Sequence, residues 1–206
     1  MEHMYDRPVQ LTAFILAGGK STRMGKDKAL LEWGGGTLLE HALQVARAVS
    51  ERLAVVGGPQ HARFGPVLLD IFSGRGPLGG IHAALEASRT DLNLILAVDM
   101  PLIEPRFLGF LVERAQASEA LVTIPRTSEG WQPLCAVYRR SFAVIARDAL
   151  EQGRNKIDAL FPGITVEVLE KLELVSQGFS ESMFRNLNTR QELEEAKAVR
   201  HPVKRE

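Results

Sequence analysis

Short apolar runs alternate with helical stripes along this chain, and this alternation restricts the fold more than any other feature. The first run, Leu11–Leu16, is nearly continuous and ends at a glycine pair, as a strand buried on both faces does. Between residues 38 and 49, apolar residues recur at spacings of four, three and four, which predicts a helix. A second apolar run follows at 53–56, so the chain begins as strand, helix, strand.

The same alternation continues to the end of the chain. We predict further strands at 67–69, 92–98, 120–124, 134–138 and 165–169, and helices over 78–85, from Pro105, over 142–150 and from Thr189. The segment from Pro125 to Trp131 is expected to be a loop. Because helical crossovers between parallel strands cover both faces of a sheet, the pattern predicts an α/β fold with a mostly parallel central sheet and helices on both faces.

Composition and charge exclude several classes of protein. The 25 basic and 25 acidic residues cancel, so no electrostatic footprint for nucleic acid is visible. Cys135 is the single cysteine, which excludes an internal disulfide and a cysteine zinc cluster, and the five histidines are too scattered to share a metal. No stretch reaches the roughly 18 apolar residues of a membrane span, and residues 1–8 lack the apolar core typical of a signal peptide. We therefore expect a cytoplasmic protein without membrane or nucleic-acid partners.

The segment after the first run is rich in glycine, hydroxyl and cationic residues. Residues 17–28 hold three glycines, two small hydroxyl residues and four cations. Glycines let successive backbone N–H groups surround an anion, while Arg23 can hold phosphate oxygens in a fork and Lys28 can act as a point charge. Ligands of open parallel sheets bind beyond the carboxyl ends of strands, so we predict a phosphate site here. A solvated loop whose charges serve solubility is the alternative.

Two other glycine patterns are weaker signals. Residues 19–21 resemble the end of a Walker A loop, but that motif needs a glycine where Phe14 stands, which excludes a P-loop GTPase or ATPase. Residues 74–79 satisfy G-x-G-x-x-G, and Asp99 follows 20 residues later, as in dinucleotide-binding folds. This pattern is separated from the preceding strand and belongs to the third unit of the chain, which disfavours a dehydrogenase.

Asp99 and Asp70 each follow a predicted strand. Asp99 comes directly after the run 92–98, where a carboxylate is placed for a ligand. Mg²⁺ binds nucleotides through one or two carboxylates together with phosphate oxygens and waters, so we predict that Asp99 holds Mg²⁺. We expect Asp70, at the end of the neighbouring strand, to be its partner. The alternative for either residue is a helix cap or a turn.

Five short motifs together resemble one known family. The first, Leu16-Ala17-Gly18-Gly19-x-Ser21-x-Arg23-Met24-Gly25-x-Asp27-Lys28, is similar to the signature of molybdenum cofactor guanylyltransferases. The others follow in the family's order: Gly76-Pro77-Leu78-Gly79-Gly80-Ile81, Val98-Asp99-Met100-Pro101, Gln132-Pro133-Leu134 and Asn186-Leu187-Asn188-Thr189. The resemblance covers residues 11–199. It implies a three-layer Rossmann-like nucleotidyltransferase fold, with residues 1–206 as a single domain whose N-terminal part binds GTP and whose C-terminal part binds the acceptor.

The resemblance also implies an activity and its residues. GMP would be transferred from GTP to molybdopterin, with Mg²⁺ as cofactor, giving the molybdopterin guanine dinucleotide cofactor and pyrophosphate. The catalytic residues would be Lys28, Arg23 and Asp99, with Asp99 as the metal ligand. The nucleotide would meet Leu16, Ala17, Gly18, Lys28, Asp70 and Asp99, and the acceptor would meet Lys156, Asn186 and Asn188. Proteins of molybdenum insertion and molybdoenzyme maturation are implied partners.

Asn186 and Asn188 occupy alternate positions of a short segment that we expect to be extended. Alternation would place both amides on one face, where they could meet the edge of a pterin. Structural capping of a turn is the alternative for either residue.

Some positions bear on substrate choice. After the second strand the chain has Val56-Gly57-Gly58, where the family tends to offer an asparagine to the nucleotide, and it has Lys156 where an arginine is expected. Sister cytidylyltransferases resemble Leu-Ala-Ala-Gly and Pro-Lys, whereas this chain has Gly18 and Asp27 at those positions. Because glycine lacks a Cβ, Gly18 lets a purine approach the backbone closely, so we expect GTP to be preferred to CTP. A cytidylyltransferase, another small-molecule phosphate nucleotidyltransferase and a nucleotide-sensing regulator remain alternatives.

Overall fold

A computed structural model describes residues 10–18, 27–72 and 74–200 of the chain. The strands in these ranges are β1 (Leu11–Leu16), β2 (Glu32–Trp33), β3 (Gly36–Thr37), β4 (Arg52–Val56), β5 (Val67–Leu68), β6 (Leu92–Ala97), β7 (Val122–Thr127), β8 (Gly130–Trp131), β9 (Cys135–Arg139) and β10 (Val166–Glu170). The α-helices are α1 (Leu38–Ala46), α2 (Pro77–Ala87), α3 (Pro105–Ala117), α4 (Phe142–Glu151), α5 (Lys171–Ser176) and α6 (Arg190–Arg200). No helix in these ranges is long and apolar enough to cross a membrane.

The main sheet is mixed but mostly parallel. Its strand order is β10-β7-β9-β6-β1-β4-β5, with β8 paired to β7, and β2 and β3 form a separate small hairpin. The central strand β1 runs parallel to both β4 and β6, β5 extends the sheet in parallel, and β10 is parallel to β7. The predicted α/β fold is therefore confirmed.

Strand β9 is the exception, because it lies antiparallel between β6 and β7. Only residues 128–134 separate β7 from β9, which is fewer than the dozen or so that a parallel crossover requires. The short connection includes β8, which pairs antiparallel with the end of β7. The reversal of β9 sends α4 back along the sheet toward the edge where β1 and β6 end.

Helices cover both faces of the sheet. Leu11, Ala13 and Ile15 of β1 pack with α1, α3, α5 and α6 on one face, while Phe14 and Leu16 pack with α2 and α4 on the other. This division follows from the alternation of side chains along a strand. It explains why every residue of β1 except Thr12 is apolar and buried, since both faces of the strand are covered.

Local sequence signals explain where most elements begin. Thr37 and Glu40 form a reciprocal capping box at the start of α1, and Thr189 and Glu192 exchange the same pair of contacts at α6, which confirms the predicted final helix. The predicted loop 125–131 is wrong, because β7 continues to Thr127 and β8 follows. Pro125 is tolerated there because β9 pairs only with Val122 and Thr123, so its missing N–H removes no bond to β9.

Candidate functional site

Four parallel strands end together at one edge of the sheet. Leu16 lies opposite both Val56 and Ala97, and Val56 lies opposite Leu68. The segments after β1, β4, β5 and β6 therefore leave the sheet side by side, as the sequence predicted. The chain runs outward from β1 through β4 to β5 and then returns to β6 on the other side of β1. Such a reversal of strand order is where ligands of α/β sheets bind.

A cluster of three polar side chains lies at this reversal. Lys28 Nζ donates a hydrogen bond to Asp99 Oδ2 at 2.8 Å and another to Asn188 Oδ1 at 2.9 Å. The Lys28 and Asp99 side chains are 16% and 22% exposed, so the pair is largely shielded but still accessible from the edge. The three residues come from the first quarter, the middle and the end of the chain, and the fold brings them into contact.

Asp99 keeps part of its carboxylate unused. Its Oδ1 atom is buried and has no hydrogen-bond partner within the described residues. A buried carboxylate oxygen without a partner is costly unless a proton donor or a cation meets it. No group of three or more potential ligands that could cage a metal occurs in the described part of the chain. A cation at Asp99 would thus take most of its ligands from substrate and water, as Mg²⁺ does at nucleotide sites.

Asp27, the residue before Lys28, fixes the short turn on which Lys28 lies. Asp27 Oδ1 accepts a hydrogen bond from the Ala29 backbone N–H at 3.0 Å and caps the short turn Lys28–Leu30. Its Oδ2 accepts from Gln60 Nε2 and His61 Nε2, each at 2.8 Å. Sequence reasoning gave Gln60 and His61 no role. The signal that could have found them is a polar pair that follows Gly57-Gly58-Pro59 at the end of β4.

Asp70 lies elsewhere on the same edge. It follows β5, and two strands, β1 and β4, separate β5 from β6, so the strands that precede Asp70 and Asp99 are three strand spacings, about 14 Å, apart. The expectation that Asp70 stands on the strand next to Asp99 is wrong. Asp70 Oδ1 accepts from the Phe72 N–H at 2.9 Å, which is the turn contact foreseen as the alternative.

The glycines of residues 74–79 allow the backbone conformation and close packing at the start of α2. Gly74 and Gly76 have φ of 80° and 71°, in the left-handed region that glycine adopts without strain. A Cβ on Gly79 would lie 2.7 Å from Asp70 Oδ1 and 2.8 Å from Oδ2, so only glycine leaves room for this carboxylate beside the first turn of α2. The G-x-G-x-x-G pattern is thereby explained without a dinucleotide.

Asn186 and Asn188 alternate with a buried residue, as the sequence predicted. Leu187 is 2% exposed while both asparagines are exposed. The Leu187 N–H donates to the Asp99 carbonyl at 2.9 Å, which fixes this segment beside β6. Glu192 accepts the backbone N–H of Asn188, and that bond is the main reason that the pKa of Glu192 lies below its ordinary value.

The remaining predicted residues are not part of this cluster. Lys156 is 80% exposed and pairs with Asp158 at 3.3 Å, and none of its described contacts reaches Lys28 or Asp99. It follows α4, whose end lies near the loop before α2, since a Cβ on Gly153 would be 3.8 Å from Arg75 Nη1. Arg23 lies outside the described residues, as do residues 19–26 of the glycine loop.

Comparisons with known proteins identify relatives of this chain. The family model described as "MobA-like NTP transferase domain" matches residues 13–164. A relative from Pelotomaculum thermopropionicum, named probable molybdenum cofactor guanylyltransferase, is 33% identical over 93% of this chain and 94% of its own length.

Solved structures share the fold. Molybdopterin-guanine dinucleotide biosynthesis protein A from Archaeoglobus fulgidus superposes with a TM-score of 0.78 at 25% identity, covering 91% of this chain and 97% of the other. A Mycobacterium tuberculosis protein, solved as a complex with manganese, has the same fold at 18% identity and a TM-score of 0.54, covering 79% and 88%. With a family model that matches well over half of its residues, this chain belongs to the family of MobA-like NTP transferases.

Proposed function

We propose that this protein transfers GMP from GTP to molybdopterin, forming the molybdopterin guanine dinucleotide cofactor and releasing pyrophosphate. The observation that carries this proposal is the contact of Lys28 with Asp99 beside the end of β1, in a chain whose relatives are named molybdenum cofactor guanylyltransferases. A cation and a carboxylate at the reversal of strand order are suited to a nucleoside triphosphate. The activity, its substrates and the residue roles below are proposed together.

The guanine base would meet the backbone directly after β1. The Leu16 carbonyl and the Ala17 N–H already bond to the neighbouring strands, which leaves the peptide group between Ala17 and Gly18 as the next one available within residues 10–18. A Cβ on Gly18 would be 3.8 Å from the Val56 carbonyl oxygen, an ordinary contact. The fold therefore does not itself require glycine there, which supports a requirement set by a purine. Asp70, which follows a strand about 14 Å from the strand before Asp99, would contact another part of the same nucleotide.

Lys28 would hold the phosphates of GTP. An ammonium group has three N–H donors, and Asp99 and Asn188 take two of them. Among the described residues the third has no acceptor, so it would be available to a phosphate oxygen, in a position fixed by the other two. Arg23, outside the described residues, would supply a second cation.

Asp99 would also bind the divalent cation, which we propose to be Mg²⁺. The fit rests on its buried, unpartnered Oδ1, because a hard cation prefers oxygen ligands and needs few of them from protein at a nucleotide site. When bound, the ion supplies neutralisation of phosphate charge and orientation of the phosphates.

The acceptor needs no protein base. A phosphate monoester has its second pKa near about 6 and is largely dianionic at neutral pH, so it can attack the α-phosphate of GTP unaided. The chain's own task is then to hold two anions together and to offset their repulsion. Lys28 performs both parts of this task, since it donates to the nucleotide and is anchored to the segment that faces the acceptor.

The acceptor would lie on the side of the C-terminal segments. Asn186 and Asn188 offer amides at the exposed edge, and Lys156 contributes a cation from the segment after α4. Because Asn188 contacts Lys28 directly, we assign it to the boundary between the two substrates rather than to the acceptor alone. The product would then pass to proteins of molybdoenzyme maturation.

The test is to incubate the protein with Mg²⁺, molybdopterin and each nucleoside triphosphate in turn, and to identify the product by mass. We expect the guanine dinucleotide and pyrophosphate with GTP, and no pyrophosphate when the acceptor is omitted. Equal or better use of CTP would identify a cytidylyltransferase instead, and binding of GTP without turnover would identify a nucleotide sensor. Replacing Mg²⁺ with Mn²⁺ in parallel reactions tests which divalent ion is preferred.

A further inference from the structure

His61 is a buried polar residue that the proposed reaction does not use. Its side chain is 1% exposed and lies on the short turn Pro59–Phe64, beyond the end of β4. Its Nε2 faces a carboxylate oxygen of Asp27 at 2.8 Å, so Nε2 must carry the hydrogen of this bond. The other ring nitrogen, Nδ1, is buried without a hydrogen-bond partner in the described residues. The bond to Asp27 is therefore the one polar contact of the ring within those residues.

Asp27 joins two segments of the edge. One carboxylate oxygen holds the Ala29 N–H, and the other holds His61 and Gln60 from the segment after β4. The carboxylate is about one quarter exposed while His61 is shielded from water, so the His61 bond faces less competition from water than the Gln60 bond does.

The backbone of Lys28 lies between these fixed points. Leu30 N–H donates to the Asp27 carbonyl at 3.0 Å, and Leu31 N–H donates to the Lys28 carbonyl at 3.1 Å. A contact that fixes the position of Asp27 therefore also fixes the position of the Lys28 backbone. The Nζ atom at the other end of that side chain is the group that meets Asp99.

We propose that His61 is a positioning residue, which acts through Asp27 to hold Lys28 against Asp99. It touches neither substrate, since it is buried behind Asp27. Its contribution is to restrict the turn that carries Lys28, so that the ammonium group is already oriented before the nucleotide binds. The activity part of this inference rests on the proposed function, whereas the structural part does not.

Gly57 makes this arrangement possible. A Cβ at position 57 would be 2.5 Å from His61 Nδ1 and 3.5 Å from the Ala17 Cβ. A side chain at 57 and the His61 ring in this position exclude each other. The glycine at position 57 is thus explained by the ring that fills the space.

The structural test measures amide hydrogen exchange in the protein without substrates. We compare His61→Leu, which removes the N–H donor, with His61→Gln, whose amide can place an N–H near the position of Nε2. In His61→Leu, the amides of Ala29, Leu30 and Leu31 should exchange about tenfold faster, while β6 amides keep their rates. In His61→Gln, the increase should be smaller than threefold or so, because one hydrogen bond is retained.

Gly57→Ala provides a variant that leaves the His61 side chain unchanged. Its Cβ displaces the ring, so the same three amides should exchange faster, as in His61→Leu. Gly109→Ala, on a helix with open space around it, is the matched control and should leave these amides unaffected. Unchanged exchange at residues 29–31 in both His61→Leu and Gly57→Ala would overturn the proposal. Equal effects of His61→Gln and His61→Leu would also overturn it, since packing alone would then explain the role of His61.

The second test asks whether His61 acts through Lys28. His61→Leu should lower GMP transfer by about tenfold in the parent protein and by little in a Lys28→Ala background, because the group that it positions is gone. A similar loss of GMP transfer in both backgrounds would contradict the proposal. The loss of thermal stability, in contrast, should be equal in both backgrounds. If the parent protein transfers no nucleotide at all, the proposed function fails, and the exchange measurement still decides the role of His61.

Discussion

Substitution of Gly79 by alanine should separate binding of the nucleotide from stability of the fold. The new Cβ would lie 2.7 Å and 2.8 Å from the two carboxylate oxygens of Asp70, closer than such contacts allow. The backbone of α2 is fixed by packing against α4, while the Asp70 carboxylate is the end of a side chain. The carboxylate should therefore rotate away and lose its hydrogen bond to the Phe72 N–H.

Two opposing effects on stability nearly cancel. The lost hydrogen bond costs about 0.5–1.5 kcal/mol, since Asp70 is half-buried and water replaces part of the bond. Alanine is favoured over glycine in a helix by up to about 1 kcal/mol, and by less in the first turn, where Gly79 lies. The melting temperature should thus change by no more than about 3 °C for a chain of this length.

The effect of Gly79→Ala on the KM for GTP should be much larger than its effect on stability. If Asp70 contacts the nucleotide where the structure holds it, the KM for GTP should rise about tenfold, which corresponds to one lost hydrogen bond to a charged group. Steady-state transfer assays with GTP varied, together with thermal melting, measure both quantities. Gly109→Ala is the control, since its Cβ meets no atom within 4 Å, and it should raise the melting temperature by about 2–4 °C without changing the KM.

Two results would refute this reasoning. An unchanged KM for GTP in Gly79→Ala would mean that Asp70 does not contact the nucleotide in its present position. A fall in melting temperature of more than about 5 °C would mean that α2 moves instead of the carboxylate.

Four further predictions concern three residues of the site and one residue of the core. Asp99→Asn should lower transfer by about a hundredfold or more, because it removes the proposed metal ligand, while Asp148→Asn on an exposed helix face should not; near-normal turnover of Asp99→Asn would contradict the metal assignment. Lys28→Ala should weaken GTP binding by about tenfold to a hundredfold in a titration, and unchanged affinity would contradict its role. Asn188→Ala should raise the KM for GTP as well as for molybdopterin in steady-state assays, because its amide holds Lys28; an effect on molybdopterin alone would contradict that contact. Cys135 should resist thiol reagents at pH 8 until the protein unfolds, since burial raises the pKa of its thiol; modification of the folded protein would contradict this.

Much of the fold could be predicted because each buried strand is a separate apolar run. The run Leu11–Leu16 and the helical stripe after it identify β1 and α1 without any long-range information. The direction of β9 could not be found in the same way, because a strand buried on both faces has the same pattern whichever way it runs. The short predicted loop between β7 and β9 was the informative feature, because a parallel crossover needs about a dozen residues or more.

The site was harder to predict than the fold, since its contacts join distant parts of the chain. Asp99 was placed correctly because it directly follows a buried strand. Its contact with Lys28 spans 71 residues and that of Lys28 with Asn188 spans 160, which no periodicity indicates. Asp70 was misplaced because consecutive strands in the sequence need not be neighbours in the sheet, and the order reverses between β5 and β6.

The reversed strand β9 also separates the strands of the main sheet into two sets. Residues 11–97 supply the four strands whose ends carry Gly18, Asp70 and Asp99, whereas residues 122–170 supply a separate set of strands and the returning helix α4. The two sets meet where the segment after α4 lies beside the loop before α2. Under the proposed roles, the segment 153–163 could lengthen, shorten or change its charge to suit a different acceptor while residues 11–97 keep their contacts with the nucleotide.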